Sequence, residues 1–186
     1  LQERNDIGVV GPAICKLDQP DQSQEIGGKI SISEANFYLN ARDQLYSSVE
    51  KTLLPCDYVP ACCLMTRREV IARVGVFDTA YFLYWDDIDW CCRIREAGWS
   101  VMAAPAYVAW HKGGGLGSPD QLVRYYQWRN RIRFFVKNLT MFDRAVVRQA
   151  LSEKVAQYVT VQCLYGQPPV QLLQALSDLE TGALGK

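Results

Sequence analysis

The sequence has little of what most metal and nucleotide sites are built from. Among 186 residues there is one histidine, His111, and the seven cysteines contain no Cys-x-x-Cys pair. That spacing excludes zinc fingers and ribbons, and a single imidazole is too few for a metal-dependent hydrolase. Charge of either sign is not in excess either: Lys plus Arg and Asp plus Glu are 20 each, so no global field draws the chain to nucleic acid. Long hydrophobic runs are missing. The longest, Val101 to Trp110, is broken by Pro105 and is too short to cross a bilayer, and no leader segment is visible. Gly113-Gly114-Gly115 lacks the strand and the Gly-Lys-Ser/Thr that a P-loop requires, so it reads as a flexible loop. There is no internal repeat.

What is present suits a globular α/β protein. Hydrophobic residues make up 49% and charged residues 22%, and the length suffices to bury a core. Cys15, Cys56, Cys62, Cys63, Cys91, Cys92 and Cys163 are an odd set with two adjacent pairs, read as reduced, core-filling thiols of a cytosolic protein. One stretch stands apart. In Tyr81 to Trp99, Asp86, Asp87 and Asp89 fall within four positions among Tyr81, Phe82, Tyr84, Trp85 and Trp90. So much charge in aromatic company calls for a cation or a polar ligand to compensate it.

In chain order, Ile7 to Val10 reads as a buried strand closed by a Gly11-Pro12 turn, and residues 16–28 as a surface loop ending at Gly27-Gly28. Lys29 to Ser33 suits a short strand, and residues 34–54 are ambiguous. An apolar run from Asp57 to Met65 leads into Thr66-Arg67-Arg68-Glu69, which fits a capping box opening a helix with Val70, Ile71 and Val74 on one face and Gly75 at its end. Asp86 or Asp87 caps the next helix, Trp90, Ile94 and Ala97 share its face, Gly98 stops it, and Trp99 to Ala104 is the following strand. Ser118-Pro119-Asp120-Gln121 opens a helix to about Leu139 along Leu122, Tyr125, Ile132, Val136 and Leu139. Residues 142–165 and Val170 to Leu179 are helical. The order is α/β first, then all helix.

The carboxylates therefore sit at a helix N-terminus, where the macrodipole favours their ionised form. If the chain after the next strand returns to the same end of a sheet, His111 meets Asp87, and a carboxylate base beside a cation-binding imidazole becomes available. The plain reading is a helix cap and a structural histidine. Asp87-Ile88-Asp89 also matches the bare Asp-x-Asp pattern of nucleotide-sugar enzymes, a pattern common by chance. Arg129-Asn130-Arg131 can contact a phosphate or form the polar face of a helix.

Together these pieces resemble the second half of the catalytic domain of family 2 glycosyltransferases, especially rhamnosyltransferase-like and galactofuranosyltransferase-like members. The resemblance runs through Ile7-Gly8-Val9-Val10-Gly11-Pro12, Gly27-Gly28, Leu64 to Val70, Val74 to Asp78, Tyr81 to Asp89, Arg93, Ala97-Gly98-Trp99, Pro105, His111 and Tyr125 to Asn130, roughly residues 5–140. It implies a partial glycosyltransferase A-type mixed sheet with flanking helices over 1–140, the acceptor-side half, and a helical C-terminal extension over 141–186. It places the catalytic base on Asp87, acceptor contacts on Trp85, Asp86, Asp89 and Trp90, metal and diphosphate contacts on His111 and a phosphate contact on Arg129. The implied reaction is inverting transfer from a nucleotide-sugar donor to a glycan or lipid-linked acceptor in bacterial surface polysaccharide synthesis. It runs in the cytoplasm, with the inner face of the cell membrane and peripheral association there as an option, and uses a divalent cation, magnesium or manganese, bound only with the nucleotide-binding half present.

On this reading Asp87-Ile88-Asp89 is not the nucleotide–metal motif, because it opens a helix. That motif and the nucleotide-binding half are expected upstream of Leu1, so the chain alone should bind donor poorly and should not turn over. A sheet edge left open in this way also invites self-pairing into a homo-oligomer. Pro60-Ala61-Cys62-Cys63 stands where the family usually carries a glycine, so the acceptor pocket should differ in shape there. The alternative is a non-catalytic binding or assembly module in which the acidic cluster is structural.

Overall fold

A computed structural model describes residues 4–113, 120–138 and 142–183. The expectations placed on Leu1, Gly114, Gly115, Ser118, Pro119 and Leu139 lie outside the described residues. The fold is the mixed α/β sheet with flanking helices and the helical C-terminal segment expected, consistent with part of a glycosyltransferase A-type domain. Contacts divide it into two compact units, one of Leu1–Lys29, Phe37–Asp78 and Asp86–Leu116, the other of Ile30–Asn36, Thr79–Trp85 and Gly117–Lys186.

The first unit is built on β1 (Ile7–Lys16), whose Ile7, Val9, Ala13, Ile14 and Cys15 are buried. Gly11-Pro12 does not turn the chain; both residues lie inside this strand. Glycine is needed there because a Cβ on Gly11 would come within 2.9 Å of the Val59 side chain. Residues 16–28 are not simply a loop: β2 (Ser23–Glu25) pairs antiparallel with the end of β1 and buries Ser23 and Glu25. β3 (Gly28–Ser31) and β4 (Asn36–Leu39) pair as a separate two-stranded sheet. The ambiguous stretch thus holds β4, a short 3-10 turn at Tyr46–Ser48, and β5 (Leu54–Pro55).

β6 (Met65–Thr66) pairs with the start of β1, and α1 (Arg68–Val74) follows. The capping box is not made. Thr66 Oγ1 donates to the Gly8 carbonyl at 2.9 Å, so the sheet takes the side chain that the helix would have used, and Arg67 stands at the N-cap without capping it, its Nε donating instead to the Ile7 carbonyl at 2.9 Å. Next comes α2 (Asp86–Glu96), with three acids in its first turn and Arg93 and Arg95 in its last, the polarity that suits the macrodipole. Gly98 ends it at φ 94°, a backbone that side chains rarely adopt.

The chain then enters β7 (Ser100–His111), parallel to β1, in a sheet ordered β2-β1-β7-β5. Pro12 faces Ala104 but Ala13 faces Val108, so residues 105–107 fall out of register. A proline on each strand, lacking N–H donors, accounts for this break. Pairing then resumes, and His111 ends opposite Lys16 at the carboxyl end of the parallel pair.

In the second unit, α3 (Asp120–Lys137) buries Tyr126, Trp128, Arg129, Asn130, Phe134 and Phe135, while the expected spine residues Leu122 and Val136 are exposed. α4 (Arg144–Leu164) is capped by Asp143, whose Oδ1 accepts from Ala145 and Val146 N–H at 2.8 and 3.1 Å. α5 (Val170–Thr181) packs Leu172 and Ala175 against Trp128, with Tyr158 and Val159 of α4 beside them. Among the described residues no helix is long and apolar enough to cross a membrane. Of the cysteines expected in the core, Cys15, Cys56, Cys91 and Cys92 are buried and Cys62, Cys63 and Cys163 are exposed; all are free thiols.

Candidate active site

Asp86, Asp87 and Asp89 all lie in the first turn of α2, but their contacts differ. Asp89 is fully buried and pairs with Arg93 one turn on, Oδ2 to Nε 2.9 Å. Arg93 also donates to the Val74 and Val76 carbonyls at 2.8 and 2.9 Å, so the pair ties α2 to the turn after α1. The acceptor contact expected of Asp89 would have to compete with this internal pair. Its carboxylate is spent on a cation inside the protein.

Asp87 is half-buried, and its carboxylate accepts from the Ile88 N–H at 2.9 Å and the Ala61 N–H at 3.3 Å. Among the described residues no Lys or Arg forms an ion pair with it. Its carboxyl is pushed up to about 7, first by burial and then by the charge on Asp86, with a further push from Glu25; the two N–H donors oppose this. Burial raises Asp86 as well.

A residue that sequence reasoning missed adds to the field on Asp87. Glu25 on β2 is 8% exposed, accepts from the Tyr58 hydroxyl at 3.4 Å and from Gln24 Nε2 at 3.4 Å, and has no ion-pair partner among the described residues. Burial raises its carboxyl, against hydrogen bonds from Gln24 and Tyr58 and the charge of Arg42. Tyr58 is raised too, by burial first and then by the charges of Glu25 and Asp87. Cys62 is pushed up to about 11, by burial first, with Glu25 and Asp87 again among the causes. The segment from Tyr58 to Cys62 thus lies in the field of both acids. Gly28 makes room for it, since a Cβ there would sit 2.2 Å from the Tyr58 ring.

His111 meets β2 rather than Asp87: its Nδ1 lies 3.2 Å from Gln24 Oε1. The donor set for a cation fits poorly. Among the described residues no three His, Cys, Asp or Glu side chains converge on a point, Asp89 is engaged by Arg93, and His111 by Gln24.

Trp90 is buried on Phe77, centroids 4.8 Å apart, and its Nε1 donates to the Gly75 carbonyl at 2.8 Å. Trp85, in the second unit, is 1% exposed, packs on Phe134 and Phe135 at 5.4 and 5.9 Å, and donates to Gln127 at 3.1 Å. Neither ring offers a face for a sugar, because each is worth more as core than at the surface. Arg129, expected to contact a phosphate, lies inside the second unit. It is 1% exposed, and its Nη2 donates to the Ala80 and Tyr81 carbonyls at 2.7 and 2.8 Å rather than to a phosphate. Asn130 Nδ2 adds contacts to the carbonyls of Tyr81, Leu83 and Tyr84 at 2.8, 2.7 and 2.9 Å. Together they fix a loop in which Phe82, Tyr84 and Trp85 have φ of 61°, 65° and 70°. Bulky residues avoid that conformation, and such strain clusters at functional sites.

No family model matches the chain. It is 37% identical over 70 residues to the N-acetylglucosaminyl-diphospho-decaprenol L-rhamnosyltransferase of Mycobacterium tuberculosis, covering 37% of this chain and 23% of that protein. To the low-salt glycan biosynthesis hexosyltransferase Agl10 of Haloferax volcanii it is 23% identical over 126 residues, 62% of this chain and 38% of that protein. The chain thus spans less than two fifths of the length of these curated relatives. Both relatives are named as glycosyltransferases.

Proposed function

We propose that the chain carries the acceptor side of an inverting glycosyltransferase of glycan biosynthesis, with Asp87 as general base. Ionised Asp87 takes the proton of an acceptor hydroxyl as that oxygen attacks the anomeric carbon of a nucleotide sugar in line. The bond from that carbon to the diphosphate oxygen breaks, its electron pair leaves with the nucleoside diphosphate, and the configuration inverts. The observation that carries this reading is Asp87 itself. It is a carboxylate at a helix start with no cation paired to it among the described residues, and its proton affinity is raised to about 7, where a base works best at neutral pH.

One relative's name specifies a lipid-linked diphosphate sugar, so a lipid-linked acceptor at the cytoplasmic face of the membrane belongs to the same proposal. The test is transfer by the full-length gene product. Asp87→Asn should lower turnover by about 100-fold or more while donor binding stays within roughly twofold. Retained turnover sinks the base assignment. A magnesium or manganese titration of that protein, wild type against His111→Ala, tests the expected cation, and an unchanged titration removes His111 from its site. The rival reading, a binding module with a structural acidic cluster, has the Asp89–Arg93 pair in its favour. It gives no reason for Asp87 to be buried without a partner cation.

A further inference from the structure

Two carboxylates of the first unit are held at the ends of one short segment. Tyr58 donates its hydroxyl to Glu25, and three residues on, Ala61 donates its N–H to Asp87. Withdrawing a carboxylate from water without a cation is costly, and a fold keeps two of them on one segment only where other contacts impose it. The contacts that impose it are visible here. Glu25 is fixed by β2 pairing with β1, and by Gln24 and Tyr58; Asp87 is fixed by the helix start and by Ala61. We propose that Glu25 is a positioning residue for Asp87: Glu25 is anchored through Tyr58 to the same short segment whose Ala61 N–H holds Asp87. This rests on the reading of Asp87 as the base.

The groups that act on Asp87 are the carboxylates of Asp86 and Glu25 and the N–H groups of Ala61 and Ile88, with Tyr58, Cys62 and Cys91 within its field. Those that act on Glu25 are Gln24, Tyr58 and Arg42, with Asp87 and Cys62 on the other side. Glu25→Gln keeps the size and removes the charge. Glu25→Asp keeps the charge.

The Asp87 and Glu25 titration midpoints are read by carbon-13 NMR of the chain labelled at aspartate and glutamate carboxyls, assigned with Asp87→Asn and Glu25→Gln. Glu25→Gln should lower the Asp87 midpoint by roughly one pH unit, the size of one like charge in a partly screened site, and Glu25→Asp should leave it within a few tenths. No fall in a folded Glu25→Gln chain, or an equal fall in both variants, overturns the proposal. Should Glu25→Gln fail to fold, Tyr58→Phe carries the test: loss of a donor to the charged form should raise the Glu25 midpoint, and an unchanged midpoint refutes the anchor. In the full-length protein the acidic limb of kcat/KM against pH should move down in Glu25→Gln by the same amount as the Asp87 midpoint. If the midpoint moves and the limb does not, Asp87 is not the base, and the coupling of the two carboxyls still stands.

Discussion

Replacing Asn130 with alanine tests what keeps the loop before α2 in its strained form. Asn130 is fully buried, and its Nδ2 reaches three carbonyls while its Oδ1 accepts from Arg129 Nε at 3.0 Å. An amide has two N–H groups, so three carbonyls share two donors, together worth about 2 kcal/mol net. Removing Oδ1 takes an acceptor from a buried guanidinium, about 1.5 kcal/mol more. Phe82, Tyr84 and Trp85 then sit in left-handed backbone with much of their restraint gone. That conformation costs each of them on the order of 1 kcal/mol, so the loop should leave it rather than hold it. The expected loss is about 3 to 4 kcal/mol in a urea denaturation of the chain, with a change in the fluorescence of buried Trp85 as its packing on Phe134 and Phe135 loosens. Asn130→Asp should be no better, since it restores the acceptor for Arg129 but turns oxygens toward carbonyls. A loss under about 1 kcal/mol would refute the reasoning, because buried carbonyls left without donors cost at least that much.

Asp89→Asn should cost about 3 kcal/mol, because it leaves Arg93 without its buried counter-charge; a urea midpoint within experimental scatter of wild type would make the pair dispensable. Stability should also depend on pH through Asp87. Its folded value of about 7 lies above the unfolded carboxylate value, so the folded chain binds more protons in between, and stability falls as pH rises through that window. Urea midpoints from pH 5 to 8 should decline in wild type and be flatter in Asp87→Asn; equal slopes would deny the shift. Among the thiols, exposed Cys63 and Cys163 should react with a disulfide reagent in the native chain at neutral pH. Cys62, pushed up to about 11, should lag, and Cys15, Cys56, Cys91 and Cys92 should wait for unfolding; four or more fast thiols would contradict the burial pattern.

Where a residue's neighbours in the chain decide its structure, the sequence was a sufficient guide. The acids that open α2 and the glycine stop at Gly98 both follow from position within one helix. It was a poor guide wherever a distant segment claimed the side chain. Thr66 would have capped α1, but the Gly8 carbonyl took its hydroxyl. Gly11-Pro12 has turn chemistry, yet Val59 needs the space above Gly11. Trp85 and Trp90 stand where the resemblance puts acceptor contacts, and both rings pack into cores, Trp90 on the helix face it shares with Ile94 and Trp85 on Phe134 and Phe135 far along the chain. Arg129 had the composition of a phosphate contact. Its partners are backbone carbonyls almost fifty positions away.

Glu25 is the sharpest case, because nothing around it in the sequence marks it as part of a site. Gln22-Ser23-Gln24-Glu25 has the composition of a solvated loop, and a polar strand three residues long has too little periodicity to be recognised. Its burial comes from pairing with β1, its partner from Tyr58, and its electrostatic neighbour from α2, three elements spread over more than sixty positions. The only trace in the sequence is indirect. Gly28 is a glycine because the Tyr58 ring lies against it, and that ring carries the hydroxyl that holds Glu25. A larger residue at 28 would therefore act on the acid pair without touching it. Gly28→Ala, forced against both the Tyr58 ring and the Tyr38 carbonyl, should displace the Tyr58 hydroxyl from Glu25 and cost roughly 3 kcal/mol of stability through overpacking.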